Sequence, residues 1–171
     1  MIELRKISIL DDAMKECITL RVTSEQEDFV ASNAISLAEA YDCNGKYDET
    51  GEGTIAVPYA VYENDIMVGF AMYGFFPPGD DEDEDEAYNT EEPYYYFWRL
   101  FVDKAYQGRG LGREIVRCVM DEIKTKPYGE ASYCYVSYDQ ENTASKATFS
   151  SYGFKEDGRT IDDELVAYYK L

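Results

Sequence analysis

Residues 107–112, Gln-Gly-Arg-Gly-Leu-Gly, are the part of the chain whose types and spacing point most directly to chemistry. Glycines at 108, 110 and 112 let backbone approach a bound group closely. The residues that follow carry Leu111, Ile115, Val116, Val119, Met120 and Ile123 at steps of three and four, which predicts a helix with one apolar face. Tyr94 to Val102, just before, are nearly all aromatic, aliphatic or β-branched and predict a buried strand. Strand, glycine turn and helix form a phosphate-binding arrangement, because the first helical N–H groups are free donors. The glycines do not follow a P-loop, since no Lys-Ser or Lys-Thr comes after them, nor the Gly-x-Gly-x-x-Gly dinucleotide pattern. Taken alone, they leave open an ordinary connection with tolerated glycines.

The chain has no histidine, which removes a Ser-His-Asp mechanism, a His-ligated metal and an imidazole base; no metal is expected. Cys17, Cys43, Cys118 and Cys134 show no paired spacing and read as reduced thiols. At 171 residues, 45% of them hydrophobic, a single domain spanning 1–171 is expected. No apolar run approaches the ~20 residues that span a bilayer. The first dozen residues lack a signal-peptide core, so the cytoplasm is the expected location.

Charge is lopsided. Of the net −19, residues 25–92 carry nineteen acids against Lys46 alone. Residues 99–117 carry Arg99, Lys104, Arg109, Arg113 and Arg117 against Asp103 and Glu114, so local basic charge surrounds the glycine turn. Such a field disfavours nucleic acid and anionic membrane and favours cations, although solubility alone would account for an acidic surface. The seven acids Asp80 to Glu86 repel one another and read as a solvated excursion, or as a device that attracts a polycation.

The elements that must position the turn read in order as follows. A strand over Ile2 to Ile7 precedes a helix capped by Asp11 or Asp12, with Met14, Cys17, Ile18 and Val22 inside. A second helix over 24–42 has an inner stripe of Phe29, Val30, Asn33, Ala34, Leu37, Ala38 and Tyr41. Residues 42–54 read as a loop. Ala56 to Tyr62 and Met67 to Gly74 form a hairpin around Glu63-Asn64-Asp65. After the central strand and helix come a strand over Ala131 to Val136 and a helix over Thr143 to Tyr152, closed by Gly153. A turn at 161–164 leads to a last strand, Leu165 to Leu171. Period two places Tyr94, Tyr96, Trp98, Leu100 and Val102 on one face of the central strand, and Tyr95, Phe97, Arg99 and Phe101 on the other.

Gln-x-x-Gly-x-Gly after a strand ending Phe-Val-Asp resembles the acyl-CoA pyrophosphate loop of the GNAT (Gcn5-related) N-acetyltransferases. The segment from Asn142 to Phe154 resembles that family's Asn-x-x-Ala-x-x-x-Tyr-x-x-x-Gly-Phe, with Ser145 in place of Ala and Phe149 in place of Tyr. The order β-α-α-β-β-β-α-β-α-β matches the family's α/β three-layer fold, a mixed central sheet flanked by helices, over essentially the whole chain. Val68 to Pro77, Phe29 to Tyr41 and the Trp98–Gly112 run look like the bacterial diamine/spermidine/spermine acetyltransferases.

The resemblance implies an acetyl-CoA-dependent transfer to a primary amine, with a polyamine as the small-molecule substrate; homodimers are frequent in the resembled family. Backbone N–H groups of Gln107, Gly108, Arg109, Gly110, Leu111 and Gly112 would meet the pyrophosphate. Arg109 and Arg113 would add charge-assisted bonds or remain solvated helix charges. Backbone groups of Leu100, Phe101 and Val102 would hold the pantetheine arm where the central strand splays from its neighbour. Asn142 would contact that arm or simply cap a helix.

Tyr96 stands where several relatives carry a catalytic carboxylate. Tyr96 and Trp98 would line the amine channel or sit in the core. Glu27 and Asp28 are candidates for binding substrate, and with Glu25, Glu91 and Glu92 they are also the candidate bases. The family's usual sulfur-protonating Tyr falls at Phe149, which leaves Tyr152 as an acid or as a core aromatic. Acetylation of a protein N-terminus or lysine, and a CoA-binding module without catalysis, are the alternative readings.

Overall fold

In a computed structural model, which describes residues 1–8, 11–79 and 91–171, the β-branched and aromatic runs pair into a seven-stranded sheet. Its strands are β1 (Ile2–Lys6), β2 (Ile55–Glu63), β3 (Ile66–Phe76), β4 (Tyr94–Val102), β5 (Tyr133–Asp139), β6 (Lys155–Ile161) and β7 (Glu164–Lys170). The helices are α1 (Asp12–Cys17), α2 (Asn33–Thr50), α3 (Leu111–Ile123) and α4 (Thr143–Tyr152). Spatial order is β1-β2-β3-β4-β5-β7-β6, antiparallel throughout except between β4 and β5. Among the described residues no helix is long and apolar enough to cross a membrane. The acidic run Asp80 to Glu86 lies outside the described residues.

Helix α3 has the face its periodicity predicts. All six apolar residues named above are at most 3% exposed, against Val57, Tyr59 and Val61 of β2 and Tyr73 of β3. Each such burial is worth about 1.5–3 kcal/mol, so α3 is anchored by its tertiary contacts. On the opposite face, Cys17 of α1 and Leu37 and Ala40 of α2 cover Ala56, Ala60, Phe70 and Met72. The sheet is therefore the middle of three layers.

Several boundaries differ from those expected. Helix α1 ends at Cys17, leaving Ile18 and Val22 outside it, because the backbone N–H of Arg21 turns to donate to Asp103 (2.8 Å). Helix α2 begins at Asn33 with Ser32 as its cap, and residues 24–26 form only a short 3-10 turn. It then runs through the expected loop to Thr50, where Gly51 closes it at φ 72°. Asn44 holds that second half to the sheet, accepting from the Ala56 N–H (2.9 Å) and donating to its carbonyl (2.8 Å). The buried stripe is Asn33, Ser36, Leu37 and Ala40, whereas Ala34, Ala38 and Tyr41 face solvent.

Strand β6 was not expected. It is an edge strand whose first four residues are exposed in succession, so it carries little hydrophobic pattern. It joins β7 through Asp162 and Asp163, both at positive φ (47° and 68°), as Asn64 and Asp65 (51° and 63°) join β2 to β3.

The central strand departs most from its expected geometry. Phe97 pairs with Tyr73 and Arg99 with Met72, so Trp98 is an extra residue, a β-bulge. Beyond it the faces exchange. Tyr95, Phe97, Leu100 and Val102 share the α3 layer, while Trp98 and Phe101 belong to the α2 layer. Arg99 also reaches α2, donating to Ser36 (3.2 Å) and pairing with Glu39 (3.0 Å). Strict period two holds only up to the bulge.

Candidate active site

Parallel pairing of β4 with β5 is confined to Tyr95–Cys134 and Tyr96–Tyr135. Past that point the strands diverge and open a cleft of ≈ 710 Å³. One part of its lining comes from Leu100, Val102, the 107–113 turn and the start of α4; another from residues 26–31 with Tyr96, Trp98, Ser137 and Glu164. The β-bulge allows one strand to face both parts.

Gly108 and Gly110 sit at φ 74° and 80°, the left-handed region that glycine enters without cost, and a Cβ on either would meet only open space. Gly110 is the N-cap of α3 and offers no side-chain oxygen to the first helical N–H groups. Arg113 lines the cleft and is exposed, with no ion pair among the described residues. These features fit a phosphate-bearing group: backbone donors at a helix start, no acidic cap, and an adjacent guanidinium.

The Phe101 carbonyl oxygen points at Gly69 of β3, only 2.3 Å from where a Cβ would be. Alternation along a strand then turns the backbone polar groups of Leu100 and Val102 the other way, toward the gap. The Val102 carbonyl accepts from the Gln107 amide (2.9 Å), which also donates to Gln26 (2.7 Å). Gln107 thus ties the glycine turn to the 24–31 segment.

The remaining candidates divide. Leu100, Val102, Gln107, Gly108, Gly110, Leu111, Gly112, Arg113, Asn142, Tyr96, Trp98, Glu27 and Asp28 all line the cleft. Glu25, Glu91 and Glu92 do not. Phe101 is not in that lining: its side chain is buried in the α2 layer and its carbonyl faces β3. Arg109 is not in that lining either, and its exposed side chain pairs with Glu63 (2.5 Å). Asn142 has the capping role, its side chain accepting from Ser145 N–H (3.0 Å), while still lining the cleft.

Phe149 reaches the cleft from the core, 2% exposed, edge-on to Phe97 and stacked on Tyr138. Burial first, and then the Glu156 carboxylate, push the Tyr138 hydroxyl well above its usual range. Glu156, which accepts that hydroxyl (2.7 Å), is itself held low by hydrogen bonds from Lys146 and then Tyr138. Tyr138 is therefore a poor proton donor.

Tyr152 points elsewhere, packed on Phe154 and Tyr169 with the Lys124 ammonium 5.0 Å from its ring centre. Three residues past Phe149, about 60° away around a 3.6-residue helix, it falls outside the cleft lining. Tyr152→Phe is accordingly expected to keep turnover within about twofold, the scale of a change remote from any site. A loss of orders of magnitude with the fold intact would reverse this placement.

Sequence reasoning missed a hydrogen-bonded chain at the mouth of the splay. Tyr96 Oη and Ser137 Oγ are 2.6 Å apart, and Ser137 Oγ donates to a carboxylate oxygen of Glu164. Trp98 and Tyr96 pack with Phe76 in an aromatic wall beside it, ring centres 5.8 and 6.0 Å away. Ser137 lies one residue past the expected end of its strand and Glu164 in the expected turn, so neither carried a local signal.

Residues 19–154 match the Acetyltransferase (GNAT) family. The chain is 27% identical over 154 residues to the spermine/spermidine N(1)-acetyltransferase of Bacillus subtilis strain 168, covering 88% of this chain and 87% of that protein. The same figures apply to a probable spermine N(1)-acetyltransferase of Bacillus subtilis subsp. natto. Among solved structures, aminoglycoside acetyltransferase AAC(6')-Ib with ribostamycin and coenzyme A superposes at a TM-score of 0.71, with 14% identity and coverage of 99% and 93%. The PaiA N-acetyltransferase of Thermoplasma acidophilum with coenzyme A gives 0.60, with 14% identity and coverage of 100% and 99%. The splayed strand, the glycine turn and the matched family agree, and the chain belongs to the GNAT acetyltransferases.

Proposed function

We propose that residues 1–171 act as a single acetyl-CoA-dependent N-acetyltransferase domain whose acceptor is a primary amine of the polyamine class. The observation that carries this reading is the divergence of β4 from β5. It leaves Leu100 and Val102 unpaired by β5, between a phosphate-type turn and an aromatic, acid-lipped recess. The α3 N-terminus and Arg113 would hold the pyrophosphate, and the free strand edge would take the peptide-like arm of the cofactor. Acetyl-CoA supplies the activated acyl group; the chain supplies orientation and exclusion of water.

The recess suits an alkylammonium chain. Trp98 and Tyr96 present π-faces, and Glu27 and Asp28 are exposed carboxylates at the lip. The strongly negative charge of residues 25–92 would steer a polycation toward them. The two Bacillus relatives named for spermine and spermidine support the same substrate class.

Mixing the protein with acetyl-CoA and an amine panel, and following released thiol, tests this. Spermidine is expected to exceed a monoamine of matched length in kcat/KM by about 10-fold or more, and added salt should narrow the gap. Equal, salt-independent values would remove the polyamine preference. Turnover only on protein N-termini or lysines, or binding of acetyl-CoA with no turnover, would favour the other readings of the family.

A further inference from the structure

We propose that Tyr96, Ser137 and Glu164 form a proton relay that deprotonates the substrate ammonium, with Glu164 as the terminal acceptor. The inference rests on the amine-acetyltransferase reading and supplies the base that reading lacks. An ammonium has no lone pair for attack, so one proton must leave before an amide can form. The chain has no histidine to take it.

All three residues line the cleft, beside the aromatic wall that would receive the amine. The direction of the chain follows from valence. Ser137 has a single hydroxyl proton and donates it to Glu164. Its oxygen must then accept at 2.6 Å from the Tyr96 hydroxyl. A phenolic oxygen that donates its proton can still accept one, and Tyr96 is among the residues that line the cleft.

The step balances. An N–H bond of the ammonium breaks as an O–H bond forms at Tyr96. Tyr96 gives its own proton to Ser137, and Ser137 gives its proton to the Glu164 carboxylate. An alkylammonium and a carboxylate become a neutral amine and a carboxylic acid, and Glu164 later returns the proton to water. Tyr96 is the catalytic residue in this scheme; Ser137 and Glu164 act through it.

Three elements fix the alignment. Tyr96 lies on β4 at the last residue paired with β5, and Ser137 lies two residues past its partner Tyr135. Glu164 opens β7, which pairs with β5 on its other side. Other charged residues nearby are Asp139, the β5 register partner of Glu164, and Asp162 and Asp163 in the adjoining turn; Arg159 of β6 lies over the Tyr135 ring at 5.8 Å and pairs with Asp157. Glu27 and Asp28 are further acids of the same cleft, exposed at its lip.

The test uses the full chain with spermidine and a spermidine analogue whose reacting amine is made weakly basic by fluorination. Glu164→Gln can keep the hydrogen bond from Ser137 but takes no proton. At neutral pH it is expected to lower kcat on spermidine by about 100-fold. The dissociation constant for acetyl-CoA, read by calorimetry, should stay within about twofold of the parent's. The deficit should shrink as pH rises and should nearly vanish for the weakly basic analogue, which arrives already neutral. Ser137→Ala should behave like Glu164→Gln, and Ser137→Thr should restore most of the rate. Parent-like turnover of spermidine by Glu164→Gln at neutral pH would overturn the relay. So would a deficit equal for both amines at every pH, which marks lost packing. A parent protein that binds acetyl-CoA and acetylates no amine would overturn the amine reading itself, and the relay with it.

Discussion

Gly110→Glu is expected to abolish measurable binding of coenzyme A, a loss of at least about 100-fold. Two effects combine. The residue sits at φ 80°, where a side chain costs about 1–2 kcal/mol. A carboxylate there would also project into the open space in front of the α3 N-terminus, repelling the phosphates that the helix start and Arg113 would attract. Gly110→Ala separates the two effects, since it carries the same backbone strain and no charge. Calorimetric titration with coenzyme A should rank parent, alanine and glutamate in falling affinity. Parent-like affinity in the glutamate variant would show that the phosphates bind elsewhere.

Gly69→Ala is the substitution expected to cost most stability. An added Cβ would sit 2.3 Å from the Phe101 carbonyl oxygen, a backbone atom that no rotamer change can move. Gly69 pairs with Val102, so relief requires β3 and β4 to part at the end of β4 that borders the cleft. We expect about 3 kcal/mol of destabilisation in urea unfolding, the upper range for overpacking. Because Leu100 and Val102 move with β4, the folded fraction should also bind coenzyme A more weakly. A change within about 0.5 kcal/mol would show that the strand pair accommodates the methyl group.

Glu39 and Arg99 show how position can mislead a charge-based reading. Arg99 counted toward the basic surroundings of the glycine turn, yet the bulge sends it to the opposite layer, where it pairs with Glu39 and stands over Trp98. Arg109 is likewise spent on Glu63. Of the five basic side chains around the glycine turn, Arg99 and Arg113 line the cleft, and of these two only Arg113 has no ion pair among the described residues.

By itself the sequence determined what local chemistry enforces. The 3.6-residue apolar period of α3, the glycines at 108 and 110, and the Asn64-Asp65 turn each have one low-energy solution within a few residues. The Asn142-to-Phe154 segment likewise carried both its helix and its family signal. Tertiary structure decided the rest. Tyr94 to Val102 is apolar toward both layers, so its pattern could not reveal that Trp98 is an extra residue or which side chains face the cleft. The start and length of α2 depend on Ser32 and on the Asn44 clamp to Ala56, a partner twelve residues away. Ser137 and Glu164 are 27 residues apart and meet only because β7 pairs with β5; no spacing in the chain encodes that contact.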